Sequence, residues 1–125
     1  MIYGIGTDII ETGRIQERTS RESGFKEYVF HPNEIRYCES MGKPAEHFAA
    51  RFAAKEALLK ALGTGLSGGL ILNEIEIVNH DTGKPSFRFH GVTSDKINSL
   101  GKTGIHLSLS HLPTIACAMV VIETS

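Results

Sequence analysis

The chain has 125 residues and carries 13 Lys+Arg against 14 Asp+Glu, for a net charge of −1 and a pI near 6.6. That size fits one domain over residues 1–125, and the charge balance excludes the strongly basic footprint of a dedicated nucleic-acid binder. No apolar run reaches the ~18 residues of a membrane span. Met1-Ile2-Tyr3-Gly4 lacks the basic opening and long apolar stretch of a secretion signal. Cys38 and Cys117, without CxxC spacing or companions, read as free thiols of a reducing, cytoplasmic compartment.

Ile2 to Ile10 is rich in β-branched residues and predicts an opening strand. Glu11 to Glu22, polar and rich in helix formers, predicts a first helix. A second starts at Pro32, because the missing N–H of proline costs nothing at the first helical position, and it ends near Met41, before Gly42 and Pro44. The strongest helical segment is Ala45 to Leu62, closed by Gly63 just past its last turn. After a glycine-rich loop, Glu74 to Val78 and Ser86 to His90 alternate apolar and polar around a turn at Asp81-Thr82-Gly83, the pattern of a hairpin. Thr93 to Leu100 predicts a short helix, and Ile105 to Ser110 with Ile115 to Ile122 a final strand pair around Pro113. The expected fold class is α+β, a mostly antiparallel sheet packed with one long central helix.

The glycines cluster at Gly4 and Gly6 and again at Gly63, Gly65, Gly68 and Gly69, which marks sharp bends or close approach of a neighbour. Gly63-Thr-Gly-Leu-Ser-Gly68 spells GxGxxG, but it follows a helix and precedes a strand, the reverse of the dinucleotide fingerprint. Gly101-Lys102-Thr103 ends like a P-loop, yet Lys96 stands where the upstream glycine is required. Neither string is a phosphate loop.

Strand periodicity puts Gly4, Gly6 and Asp8 on one face of the opening strand and Tyr3, Ile5, Thr7 and Ile9 on the other. Asp8 is then either a strand-end residue capping the next helix near Thr12 or a carboxylate on a face cleared of side chains. On the long helix Phe48, Phe52, Leu59 and Leu62 form the apolar stripe, with Glu56 and Lys60 one turn apart at its edge and Ala49 and Ala53 continuing their line. The pair is either an ordinary i,i+4 contact or, flanked by small residues, the floor of a ligand site. Lys55 falls inside the stripe, where a lysine must snorkel or find an anion, and Arg51 lies one turn before it.

If Asp8 and Glu56 meet at ~5 Å, their repulsion is about 3 kcal/mol at an effective dielectric near 20. A proton or a bound cation relieves it. Hard oxygen ligands without a zinc-spaced His or Cys pair favour Mg²⁺, which completes its shell with water and phosphate oxygens. Arg51, Lys55 and Lys60, with a glycine loop beginning three residues after Lys60, suit a polyphosphate.

Arg14, Arg18 and Arg21 recur at i, i+4 and i+7. They form either a solvated face or a docking surface for an acidic partner. Ser108-Leu-Ser-His111 puts two hydroxyls and an imidazole at a strand end, with no acidic neighbour in sequence to orient His111. This favours a polar rim donating hydrogen bonds over a hydrolase triad. His31, His47, His80, His90 and His106 share no spacing and are expected to be structural or on the surface.

Gly6-Thr-Asp8-Ile-Ile-Glu11, Arg51-Phe-Ala-Ala-Lys-Glu-Ala57, Gly63-Thr-Gly65, Gly83-Lys-Pro85 and Ser108-Leu-Ser-His111 occur in this order. From about Gly4 to Glu123 the chain thereby resembles the short, single-module branch of the 4′-phosphopantetheinyl transferases, the holo-[acyl-carrier-protein] synthases. The resemblance implies transfer of 4′-phosphopantetheine from coenzyme A to a serine of apo acyl carrier protein, releasing adenosine 3′,5′-bisphosphate, in support of fatty acid biosynthesis. It implies Mg²⁺ held by Asp8 and Glu56 against the pyrophosphate of coenzyme A and contacted by Lys60. Gly63 and Thr64 would lie beside the nucleotide, and Arg51 and His111 at the 3′-phosphate and adenosine end. Arg14, Arg18 and Arg21 would face the acidic recognition helix of the carrier protein. Glu56 would assist removal of the serine proton.

Larger relatives carry two such modules and form the site between them, so one module implies a site completed by a neighbouring subunit, usually in a homotrimer. Ala116 to Ile122 is apolar on both faces, as expected for a strand covered on each side. Relatives often have Thr near His31, and His31-Pro32 predicts a poorer cap for the second helix. Two rival functions use the same residues: a Mg²⁺-dependent phosphohydrolase, and a non-enzymatic module binding carrier proteins through its arginines.

Overall fold

A computed structural model of the chain describes residues 1–102 and 104–125. Thr103, at the end of the discarded Gly101-Lys102-Thr103 string, lies outside the described residues. In chain order the elements are β1 (Ile2–Glu11), α1 (Thr12–Ser20), α2 (Phe25–Val29), α3 (Pro32–Glu39) and α4 (Pro44–Leu62). Short 3₁₀ turns at Gly65–Gly68 and Leu72–Glu74 lead to β2 (Ile75–Asn79), β3 (Pro85–Phe89), α5 (Gly91–Ser99), β4 (Gly104–His111) and β5 (Ile115–Glu123).

The strands form two antiparallel sheets, a three-stranded one in the order β1-β5-β4 and the hairpin β2-β3. In the first, Asp8 stands opposite Ala118, which stands opposite Leu109 on its other side. The hairpin closes where the N–H of His80 donates to the carbonyl of Lys84, with Gly83 at φ 87°. The α+β expectation with mostly antiparallel pairing holds.

Helix α4 lies along the inner face of the larger sheet, where Ala116, Ala118, Val120 and Ile122 are buried. It presents Ala49, Ala53, Ala57 and Ala61, one per turn and all buried, so the strand can come close. A Cβ at Gly6 would overlap the carbonyl oxygen of Ala57, and one at Gly4 that of Ala61. The glycines of β1 are therefore a packing requirement: two backbones touch there. Gly63 ends α4 in the left-handed conformation at φ 80°, as its position predicts.

Burial runs further round α4 than a single stripe. Phe48 packs on Phe30 at 4.9 Å, Phe52 on Phe25 at 6.2 Å, and Leu58, Arg51 and Lys55 are buried as well. Lys55 does not snorkel; it finds its anion within the protein. Its Nζ donates to the Glu34 carboxylate at 2.7 Å and to the carbonyls of Val29 and Leu72 at 2.7 and 2.9 Å. Glu34 also accepts from the backbone N–H groups of His31 and Ile77, so one buried pair ties α2, α3, α4 and β2 together.

Two local expectations change. Phe25–Val29 forms a five-residue helix that the sequence pattern did not mark. His31 is a competent cap: its Nδ1 accepts from the N–H of Asn33 at 3.0 Å while Glu34 accepts from the N–H of His31 at 2.9 Å, a reciprocal capping box. The other histidines show order too. His31 and His90 stack face to face at 4.2 Å, and His90 Nε2 lies 2.7 Å from buried Glu76. Ligand atoms of these three residues lie within 4.8 Å of one another. Parallel rings, however, direct their in-plane lone pairs side by side, and Nδ1 of His31 is already committed to its cap.

Most of the outer face of the sheet is left bare by the described residues, Lys102 reaching only the Tyr3 ring at its edge. Ile5, Ile9 and Met119 are 57, 69 and 46% exposed. The expectation that β5 is covered on both sides therefore holds for one face only within a single chain.

Candidate active site

Packing β1 on α4 brings the two carboxylates together. Asp8 extends the Gly4–Gly6 line of the strand, and Glu56 and Lys60 project from the helix alongside it. Lys60 Nζ donates to the Thr7 carbonyl at 3.0 Å and to Asp8 Oδ1 at 3.2 Å. Asp8 does not cap α1, whose first turn follows Glu11 without a side-chain cap. The Glu56 carboxyl is held above its ordinary range, first by burial and then by the charge of Asp8, with Lys60 partly opposing both. Two carboxylates thus share one neighbourhood, and a single lysine leaves their repulsion incompletely relieved. Two hard oxygen donors of this kind fit one divalent cation.

Lys60 stands between two grooves. One, of about 490 Å³, is lined by Thr7, Asp8, Lys60, Ser108, Ser110 and Cys117. The other, of about 520 Å³, is lined by Glu56, Lys60, Gly63, Gly65 and Leu66 among others. Ser108 and Ser110 line the first groove, but the register sets them beside Met119 and Cys117 on the outer face of the sheet, across the strand from Asp8, and Gly63 lines the second groove. Thr64 turns its hydroxyl toward the Gly65 carbonyl.

Arg51, Lys55 and His111 do not join this cluster. At 1.5 Å and 100° per residue, Arg51 sits about 7.5 Å along α4 from Glu56 and about 140° around it. Its guanidinium is buried beneath the ring of Tyr37, 4.4 Å from the centroid. His111 Nδ1 is 3.2 Å from Glu46 Oε1, and its ring meets His47 edge to face at 6.1 Å. His47 in turn meets Tyr37 at 5.8 Å. A second constellation of Tyr37, Glu46, His47, Arg51 and His111 therefore surrounds the first half of α4. The sequence named only Arg51 and His111 of this group. Tyr37, Glu46 and His47 carried no motif, and the Glu46 carboxylate, distant in sequence, is the acidic neighbour His111 lacked locally.

The arginine series is also modified. Arg14 and Arg18 are exposed on α1, with Arg18 5.7 Å from the Phe25 ring. Arg21 lies past the helix end in extended backbone and pairs with Glu17.

The sequence model of the 4′-phosphopantetheinyl transferase superfamily matches residues 4–112. A holo-[acyl-carrier-protein] synthase of Geotalea daltonii is 46% identical over 124 residues, 98% of this chain and 99% of the relative. One of Ruminiclostridium cellulolyticum is 48% identical over 95% of this chain and 90% of the relative. Among solved structures, the holo-[acyl-carrier-protein] synthase of Neisseria meningitidis superposes with a TM-score of 0.90 at 37% identity, covering 99% of this chain and all of that one. That of Bacillus anthracis, in complex with CoA (3′,5′-ADP), gives a TM-score of 0.82 at 37% identity over 100% and 99% of the two chains.

Proposed function

The chain belongs to the 4′-phosphopantetheinyl transferase superfamily, and from that premise we propose that it moves 4′-phosphopantetheine from coenzyme A to a serine hydroxyl of apo acyl carrier protein. The observation that carries the reading is the meeting of Asp8, Glu56 and Lys60 where β1 touches α4. The serine Oγ forms a bond to the β-phosphorus of coenzyme A while the bond from that phosphorus to the bridging oxygen breaks, releasing adenosine 3′,5′-bisphosphate. Phosphoryl transfer of this kind needs positioning and charge neutralisation more than covalent help.

Glu56, half-buried and held above its ordinary range, takes the serine proton. Lys60 puts its ammonium where charge gathers on the leaving diphosphate. Asp8 and Glu56 would hold Mg²⁺, whose chemistry when bound is to polarise the phosphate oxygens. Gly63 and Thr64 flank the nucleotide, and Arg51 and His111 take the 3′-phosphate and adenosine end. Arg14 and Arg18, exposed on α1, with Arg21 just beyond it, face an acidic carrier protein. The cell compartment is the cytoplasm and the process served is fatty acid biosynthesis.

The two constellations face different sides of α4, and the larger sheet exposes an apolar face. Both features support a homotrimer in which the carboxylate cluster of one chain meets the Arg51 cluster of the next. The reaction is tested by incubating the protein with coenzyme A, Mg²⁺ and apo carrier protein and weighing the products. The expected result is a carrier protein heavier by one phosphopantetheine. Free phosphopantetheine would instead assign a phosphohydrolase, and unchanged masses a binding module.

A further inference from the structure

Arg51 is an unusual cation. It is 3% exposed, it forms no ion pair among the described residues, and its Nε is buried without a hydrogen-bond partner. A buried guanidinium lacking a counter-charge is costly, and the carboxylates on its side of the molecule are already engaged. Glu34 is paired with Lys55 at 2.7 Å, and Glu76 lies 2.7 Å from His90 Nε2. What faces the guanidinium is the π-surface of Tyr37, with Cζ 4.4 Å from the ring centroid. That ring is fixed on two further sides. Its hydroxyl accepts from Asn79 Nδ2 at 3.1 Å, at the end of β2, and His47 meets it at 85°. Tyr37, Arg51 and Asn79 also border a cavity of about 160 Å³ between α3 and β2.

We propose that Tyr37 is a positioning residue: its ring, clamped by Asn79 and His47, holds the Arg51 guanidinium over its face so that the guanidinium N–H groups are left to meet an anionic oxygen of the donor. The proposal rests on the reading above that Arg51 takes the 3′-phosphate of coenzyme A. A guanidinium held over a ring face keeps its N–H donors free, whereas an ion pair would occupy them. Tyr37 thus supplies attraction without competing for the ligand.

The test compares coenzyme A with coenzyme A lacking its 3′-phosphate, using wild type, Arg51→Gln, Tyr37→Leu and Tyr37→Phe. Removing the ring raises KM for coenzyme A about five- to tenfold, the scale of one desolvated cation–π contact. It leaves KM for the dephosphorylated donor and both kcat values near wild type. Tyr37→Phe, which keeps the ring, restores most of the affinity. An equal rise with both donors places Tyr37 against the nucleotide or in general stability and overturns the proposal, as does an unchanged KM. If the wild type itself fails to distinguish the two donors, the Arg51 assignment falls and Tyr37 with it. If Arg51→Gln abolishes the distinction and Tyr37→Leu does not, only the role of Tyr37 falls.

Discussion

At the scale of single residues, Glu56 concentrates a conflict between function and stability. Burial and Asp8 raise its pKa, and a group whose folded pKa is raised stabilises the fold below its unfolded pKa and loses that contribution as pH rises through the folded one. Once ionised, the carboxylate is therefore a burden. Glu56→Gln should abolish turnover and raise the melting temperature, by roughly 1–3 °C. Mg²⁺ should raise the melting temperature of the wild type and not that of the variant. Near-normal activity in Glu56→Gln would remove both its roles. His31 has the opposite sign. Burial, then His90 and more weakly Lys55, lower its pKa against the pull of Glu76 and Glu34, and only the unprotonated Nδ1 can cap α3. Its contribution is complete above the ordinary histidine value of 6.5 and is lost as pH falls from there through the lowered folded value. Urea midpoints recorded against pH should show that decline. His31→Asn, which caps without titrating, should flatten it.

At the scale of elements, the buried Lys55–Glu34 pair is the joint of the helical half. Lys55→Met leaves Glu34 buried without its cation and should cost about 3–5 kcal/mol by urea unfolding. Adding Glu34→Leu should recover only part, because the N–H groups of His31 and Ile77 lose their acceptor. Much of this layer was legible in the sequence. The strands and α4 carry clear periods, and the glycines of β1 mark a close approach, but the alanines of α4, read from the sequence as room for a ligand, are where β1 itself comes to rest, which puts Asp8 beside Glu56. Legibility stopped where long-range partners decide. Helical spacing put Lys55 in the apolar stripe without revealing Glu34 as its anion. It grouped Arg51 with Lys60 although a tyrosine from α3 claims it. Five-residue α2 is too short to show a period, and His31 caps through a ring nitrogen that a preference for Thr overlooks.

For the whole molecule, the separation of the carboxylate cluster from the Arg51 cluster yields a prediction about mixed assemblies. Glu56→Gln and Arg51→Gln, each defective alone, should recover activity at about one quarter of the sites when unfolded and refolded together in equal amounts, as a head-to-tail ring requires. No recovery would return both clusters to one chain. Sedimentation should likewise find Ile5→Lys, altered on the exposed apolar face, as a folded single chain with little transferase activity. If the proposed ring closes over the same bare face, that face also sets how output responds to supply. A catalyst assembled from several identical chains works with more than the first power of its concentration whenever the chains are scarce enough to part. Diluting the protein should therefore lower the turnover of each remaining copy, and a cell that halves its synthesis near that threshold gives up more than half of its holo carrier production.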